Sequence, residues 1–494
     1  MRMNTLYDKL KNYSDSDYYA FHMPGHKRRS LSDICDVNKH DQKALDRGGR
    51  CEDIPYGIDI TEIEGFDDLH HAHGILEDAQ KRAARVYRAD ETHFLVNGST
   101  VGIISAICGV TKKGDTILVA RNCHKSVYHA IYLNELSPVY LYPDFDEHMH
   151  LNTEIDPKDV KDALLRHPDI RAVVIVSPTY DGVVSDIAAI AEEVHAKGLP
   201  LIVDEAHGAH FGFYSAFPEN ANTKGADVVI HSVHKTLPSL TQTALLHMNG
   251  SIVNRSRVRN YLDMFQTSSP SYVLMASIDA CVEMLENRSE EVFSSYVERL
   301  TEMREKLTSL KHLKIAEQKG YDISKLVISV ENADITSREL YERLLSEYHL
   351  QMEMVAGTYV LAMTTVGDTK EGLERLTNAL ISIDNKIGFR SDWAECSRAS
   401  DYKPSIRQER LDVVYKISDA QDMEEAKRVR RCWKDAAGYI ALEYAYLYPP
   451  GSPLIVPGER ITEAVVENLY WYQEQGFSIE GLKEENYIEV LINE

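Results

Sequence analysis

The chain has 494 residues, 44% of them hydrophobic and 27% charged, and a formal net charge of −23. That length suits two to four domains with separate cores, and the acidic excess works against nucleic acid or an anionic membrane surface as the main partner. No stretch approaches the roughly 20 apolar residues of a membrane-spanning helix, and the N-terminus carries no apolar signal-peptide core.

Residues 1–75 read as an N-terminal arm. From residue 76 to 310 short apolar runs alternate with helix-like stretches: His93–Val96, Thr116–Val119, Ala172–Val176, Leu201–Val203 and Asp227–Ile230. Nearly continuous apolar runs separated by helices predict buried, mostly parallel strands of an α/β sheet. Residues 311–390 predict a smaller α+β domain, from the strands Lys325–Val330 and Thr358–Met363 and the helix Thr369–Asp384. Residues 391–494 form a C-terminal domain of charged helices and the loop Tyr448-Pro449-Pro450-Gly451-Ser452-Pro453. Seven scattered cysteines without a CxxC pair fit reduced thiols, so a cytoplasmic location is expected.

In open α/β sheets ligands bind beyond the carboxyl ends of the strands, and the polar clusters of this chain sit there. Asn97-Gly98-Ser99-Thr100 is a glycine turn with two hydroxyls at a helix start, which suits a phosphate; the plainer alternative is an N-cap. Asp204 ends an apolar run and needs a cation beside it or it will protonate. A pyridinium nitrogen is one such cation; an ordinary ion pair is another. Lys235 ends the next run, where a lysine can lose its charge and become a nucleophile, although most lysines are simply solvated. Ser232, His234 and His207 stand near these two in sequence. His124 follows another strand and could lie flat on an aromatic ring, or be a turn histidine bonded to backbone.

Together these residues resemble the Orn/Lys/Arg decarboxylases of the aspartate-aminotransferase fold. The resemblance rests on Phe21-His22-Met23-Pro24-Gly25-His26-Lys27, Asp67-Asp68-Leu69-His70, Asn97–Thr100, Arg121-Asn122-Cys123-His124-Lys125-Ser126, Ser177-Pro178-Thr179-Tyr180-Asp181-Gly182, Asp204-Glu205-Ala206-His207, Ser232-Val233-His234-Lys235, Ser269-Pro270-Ser271-Tyr272 and Tyr448-Pro449-Pro450-Gly451. It implies a pyridoxal-phosphate (PLP) enzyme of fold type I. In it Lys235 is the Schiff-base lysine, Asp204 pairs with the pyridine nitrogen and His124 stacks on the ring. Ser99, Thr100, Ser232 and His234 bind or flank the phosphate, while Ala206 and His207 line the face opposite His124. The Thr267–Pro270 stretch, Ser268 above all, is implied to reach the phosphate of a partner subunit in a homodimer or a dimer of dimers.

The chain departs from the family pattern in starting almost directly at the Pro-Gly-His string, without the wing domain that builds rings in the large members. It also has Leu447 where a proline is expected and Ser452 where an aliphatic residue is expected. The resemblance implies decarboxylation of a basic amino acid, arginine favoured because short members are often arginine enzymes, with lysine and ornithine as alternatives. Glu443 and Glu459 are the candidates for reading the far end of the substrate; surface solvation is the alternative for each. An aminotransferase of the same fold is the nearest rival, although Tyr359–Met363 lacks the arginine such enzymes use to clamp a carboxylate. A histidine-ligated metal site built on His22 and His26, His70, His71 and His73, or His207 and His210 is the rival from another class; no metal is expected.

Overall fold

The computed structural model describes residues 16–22, 24–27, 29, 33–34, 58–146, 151–316, 320–389, 409–447, 451–474 and 478–492. Strand β1 (Tyr19–Phe21) opens the described chain, and helix α1 (Ile75–Val86) follows. The large sheet then builds from β2 (Glu91–Leu95), β3 (Thr116–Ala120), β4 (Ser137–Leu141), β5 (Ile170–Val176), β6 (Leu201–Asp204), β7 (Val228–His231) and β8 (Ala244–Met248). These seven lie in the order β2-β8-β7-β6-β5-β3-β4. All neighbours run parallel except β8, which is antiparallel to β2 and β7. The apolar runs explain this: every residue of β6, β7 and β8 is buried, as a sheet covered by helices on both faces requires.

Helix α2 (Gly98–Val110), apolar almost all round, packs under this sheet, which is where such a helix must go. Helix α3 (Lys125–Leu133) follows β3, the short helix α4 (Val233–Thr236) follows β7, and α5 (Arg255–Phe265) follows β8. Helix α6 (Tyr272–Leu307) leads out of the large sheet. From Tyr272 to Leu300 it joins one apolar core with Phe94 and Leu245, and its end, at Met303 and Leu307, joins a second core with Leu326 and Val360.

That second core belongs to an antiparallel sheet of β9 (Lys314–Ile315), β10 (Lys325–Ser329), β12 (Met354–Val355) and β13 (Tyr359–Met363), in the order β9-β10-β13-β12. Helix α7 (Lys370–Asp384) covers it, capped by Thr369, whose hydroxyl accepts from the Gly372 N–H. Strand β11 (Leu350–Met352) pairs in parallel with β1 as a separate two-stranded sheet, and Phe21, Leu350 and Met352 join the same second core. In the C-terminal part β14 (Arg428–Cys432) pairs with β17 (Tyr487–Leu491), and β15 (Ala445–Leu447) with β16 (Ser452–Ile455). Helix α8 (Glu463–Glu474) packs on them around Trp433. Tyr448, Pro449 and Pro450 of the Pro-Pro-Gly loop lie outside the described residues.

The Pro24-Gly25-His26-Lys27 string is a clasp between the two sheets. The Gly25 N–H donates to the His234 carbonyl at 2.7 Å. A Cβ there would stand 2.7 Å from the Leu237 backbone, so no side chain fits. The buried Lys27 ammonium donates to the carbonyls of Met363 (2.8 Å) and His22 (2.9 Å), and the Thr365 hydroxyl donates to the Gly25 carbonyl at 2.6 Å. The segment that carries Lys235 is thereby held from the smaller sheet's side.

Candidate active site

Parallel strands of similar register end together, so the polar residues that come after them converge. Val176, Asp204 and Ile230 are register partners at the ends of β5, β6 and β7. Beyond them opens a cavity of about 380 Å³, lined among others by Ser99, Thr100, His124, Asp181, Asp204, Ala206, His207, His234 and Lys235. Eight of these nine carry a role read from the sequence; Asp181 stands in the Ser177–Gly182 string without one.

Lys235 Nζ lies 3.0 Å from His207 Nε2. Burial lowers the lysine's pKa, opposed by the nearby charge of Asp204, so the neutral amine that nucleophilic attack needs is easier to reach. His207 is buried and held well below its ordinary pKa by that burial and by Lys235. With Lys235 donating, the neutral His207 ring carries its proton on Nδ1, which has no hydrogen-bond partner. The Tyr180 ring packs against it, with centroids 4.6 Å apart.

Asp204 is buried at the strand tip, and its Oδ1 accepts from the Ala206 N–H at 3.1 Å. Burial pushes its carboxyl up; Lys235 pulls the other way. A carboxylate in that position is stabilised by a cationic N–H.

His124 caps α3: the Ser126 N–H donates to its Nδ1 at 3.3 Å, and Ser126 Oγ lies 2.9 Å away. A backbone N–H can only donate, so Nδ1 is the acceptor and the neutral ring carries its proton on Nε2. Burial and the charge of Lys235 lower its pKa to about 3, which keeps it neutral. The turn-histidine reading and the stacking reading are therefore compatible: the cap fixes the ring at the cavity wall.

The wall that carries Ser99 and Thr100 suits an anion. Helix α2 begins at Gly98, whose φ of +73° favours glycine, and no side chain caps it. The cap residue Asn97 instead accepts from the Thr267 N–H at 3.1 Å. Ser99 and Thr100 thus face the cavity with an uncapped helix end, the arrangement that holds phosphate. Ser232 is buried at the start of α4 with an Oγ that has no hydrogen-bond partner, and it does not line the cavity. His234 donates Nδ1–H to the Thr243 carbonyl at 2.8 Å, leaving Nε2 available. An uncapped helix end with two hydroxyls, a buried carboxylate and a buried lysine in one cavity fit the chemistry of the phosphate, ring nitrogen and aldehyde of PLP.

Glu443 and Glu459 do not join this cavity. Neither is surface-solvated: both are buried and engaged with protein. Glu443 accepts from the backbone N–H groups of Lys483 and Glu489, and Glu459 is the partner of Arg121. Ser268 is exposed, follows α5 and does not line the cavity of its own chain. Of the histidines that suggested a metal site, His70 meets the Thr267 carbonyl at 2.9 Å, and His210 meets Asp322 at 3.2 Å.

The family model for the Orn/Lys/Arg decarboxylase major domain matches residues 4–334, and the model for the C-terminal domain of the same enzymes matches residues 405–486. The chain belongs to the Orn/Lys/Arg decarboxylase family. As a member of that family it is a decarboxylase of a basic amino acid, which sets aside the aminotransferase reading. It is 30% identical to an arginine decarboxylase of Bacillus subtilis over 485 residues, 96% of this chain and 95% of that one. It is 35% identical to the uncharacterized protein YaaO of the same organism over 480 residues, 94% of each. Among solved structures it resembles the lysine decarboxylase LdcF of Francisella novicida, with a TM-score of 0.75 at 18% identity, over 98% of this chain and 80% of that one. At that identity the likeness speaks for the decarboxylase fold alone. Among the described residues no helix is long and apolar enough to cross a membrane.

Proposed function

We propose that this family member is a cytoplasmic, PLP-dependent arginine decarboxylase that works as a homodimer or a dimer of dimers. The observation that carries the reading is the convergence of Lys235, Asp204 and His124 on one cavity, with an uncapped helix end in its wall. The arginine decarboxylase of Bacillus subtilis, similar over nearly the full length of both chains, favours arginine over lysine and ornithine.

When bound, PLP supplies the electron sink that lets the Cα–carboxylate bond break. The protein's part is orientation and electrostatics. Ser99, Thr100, Ser232 and His234 would hold the phosphate, and Asp204 would keep a proton on the ring nitrogen. His124 on one side and Ala206 and His207 on the other would enclose the ring. Lys235 would supply the amine that attaches the cofactor. Lys235 Nζ, 3.0 Å from His207 Nε2 as its acceptor, would then be placed to return a proton to the substrate Cα. Ser268 of one protomer completes the phosphate site of its partner.

Purified protein given arginine, lysine or ornithine in turn tests the proposal by CO₂ release and identification of the amine. Agmatine from arginine at the highest rate is expected. Faster turnover of lysine or ornithine would overturn the substrate, and no CO₂ from any of the three would overturn the activity.

A further inference from the structure

We infer that Asp181 is the carboxylate that receives the distal cation of the substrate, and so sets its preference for a basic side chain. The inference rests on the proposed decarboxylase reading and names the part of the site that reading leaves open.

Among the described residues the cavity wall contains two acids, Asp204 and Asp181. Asp204 sits by the lysine and is spoken for by the ring nitrogen, so Asp181 is the remaining negative charge for a cationic side chain. The sheet order β7-β6-β5 sets the turn that carries Asp181, after β5, two strands away from the segment that carries Lys235, after β7. A basic amino acid held at Cα near Lys235 carries its second cation away from that segment as well.

Asp181 is held for such a task. It lies on the turn after β5, and Tyr359 of β13 donates its hydroxyl to Asp181 Oδ1 at 2.6 Å. Its neighbour Tyr180 donates to Glu353, between β11 and β12. The turn is therefore gripped by two residues of the smaller sheet's side, and the carboxylate is fixed in position. The ammonium whose charge acts on it, on Lys325, is committed elsewhere: Lys325 Nζ lies 3.1 Å from Asp322 Oδ2, with both side chains fully buried. Burial pushes the Asp181 carboxyl up to about 6, against the pull of Tyr359 and Lys325. A guanidinium or ammonium in the cavity would relieve that penalty. Glu443 and Glu459, the acids expected to do this, already hold protein partners.

The test uses the cofactor-loaded protein and its Asp181→Asn variant, which keeps an oxygen for Tyr359 and removes only the charge. Calorimetry measures binding of agmatine, cadaverine and putrescine, and kinetics compare arginine with citrulline, its neutral near-isostere. The expected result is a 10- to 100-fold weaker binding of the best amine, about the size of one lost charge-assisted hydrogen bond. A matching rise in KM with kcat largely retained, and a reduced arginine-to-citrulline ratio, should accompany it. Tyr359→Phe, which keeps the carboxylate, should keep that ratio. Unchanged amine affinity in Asp181→Asn, or the same loss of selectivity in Tyr359→Phe, would overturn the inference. A wild-type protein that binds an amine but releases no CO₂ would sink the decarboxylase reading, while the calorimetry still decides the role of Asp181.

Discussion

Arg121 and Glu459 form an ion pair at 3.0 Å with both side chains sealed from solvent. Arg121 stands just after β3, in the segment that carries His124, and Glu459 comes after β16 in the C-terminal part. The guanidinium also donates to the carbonyls of Pro453 (2.7 Å) and Leu454 (3.3 Å), and Ser452 Oγ donates to the Asn122 carbonyl at 2.9 Å. The C-terminal part therefore holds the His124 loop at four points.

Removing one partner of a buried pair strands the other charge, at a cost of about 3–5 kcal/mol. Glu459→Ala should lower the denaturation midpoint accordingly, and Glu459→Gln should do so less, because its amide oxygen still accepts from Arg121. A Glu459→Ala protein as stable as wild type would show that the pair does not clamp the loop.

Asp204→Asn should leave the cofactor covalently attached and cut turnover by about 10²–10³, the usual cost of losing one preorganised electrostatic partner. The absorbance of the bound cofactor and kcat are the two readouts. Near-native turnover would remove Asp204 from the ring nitrogen.

The shared-site proposal predicts complementation. Lys235→Ala and a variant crippled at Ser268 should each be weak or inactive alone. Mixed and allowed to exchange, half the dimers become hybrids and one site in each carries neither lesion, so about a quarter of wild-type activity should return under twofold symmetry. Exchange proven by mixed-tag co-purification, without recovery, would mean that each chain builds its own site.

Legibility in the sequence differs residue by residue. Asp204 and Lys235 were readable because apolar runs mark strands, and a residue just past a buried parallel strand faces the ligand edge of the sheet. The antiparallel turn of β8 was not readable, since its run ALLHM looks like that of any buried strand. Burial of Glu443 and Glu459 depends on partners far away in the chain, Lys483 and Glu489 for one and Arg121 for the other, which no local pattern announces. Asp181 stood inside a string already singled out, and its signal was an acid just past an apolar strand. What sequence could not supply was Tyr359 reaching it from another sheet. The Pro24–Lys27 string could be matched but not explained until Gly25 was found against the Leu237 backbone.

The central claim is that Lys235 holds the cofactor in this cavity, and borohydride trapping tests it most directly. The purified protein should be yellow, lose that colour on reduction, and give on peptide mapping a single pyridoxyl-modified peptide with the label on Lys235. A label on any other lysine, or a reduced protein that carries none, would contradict the account.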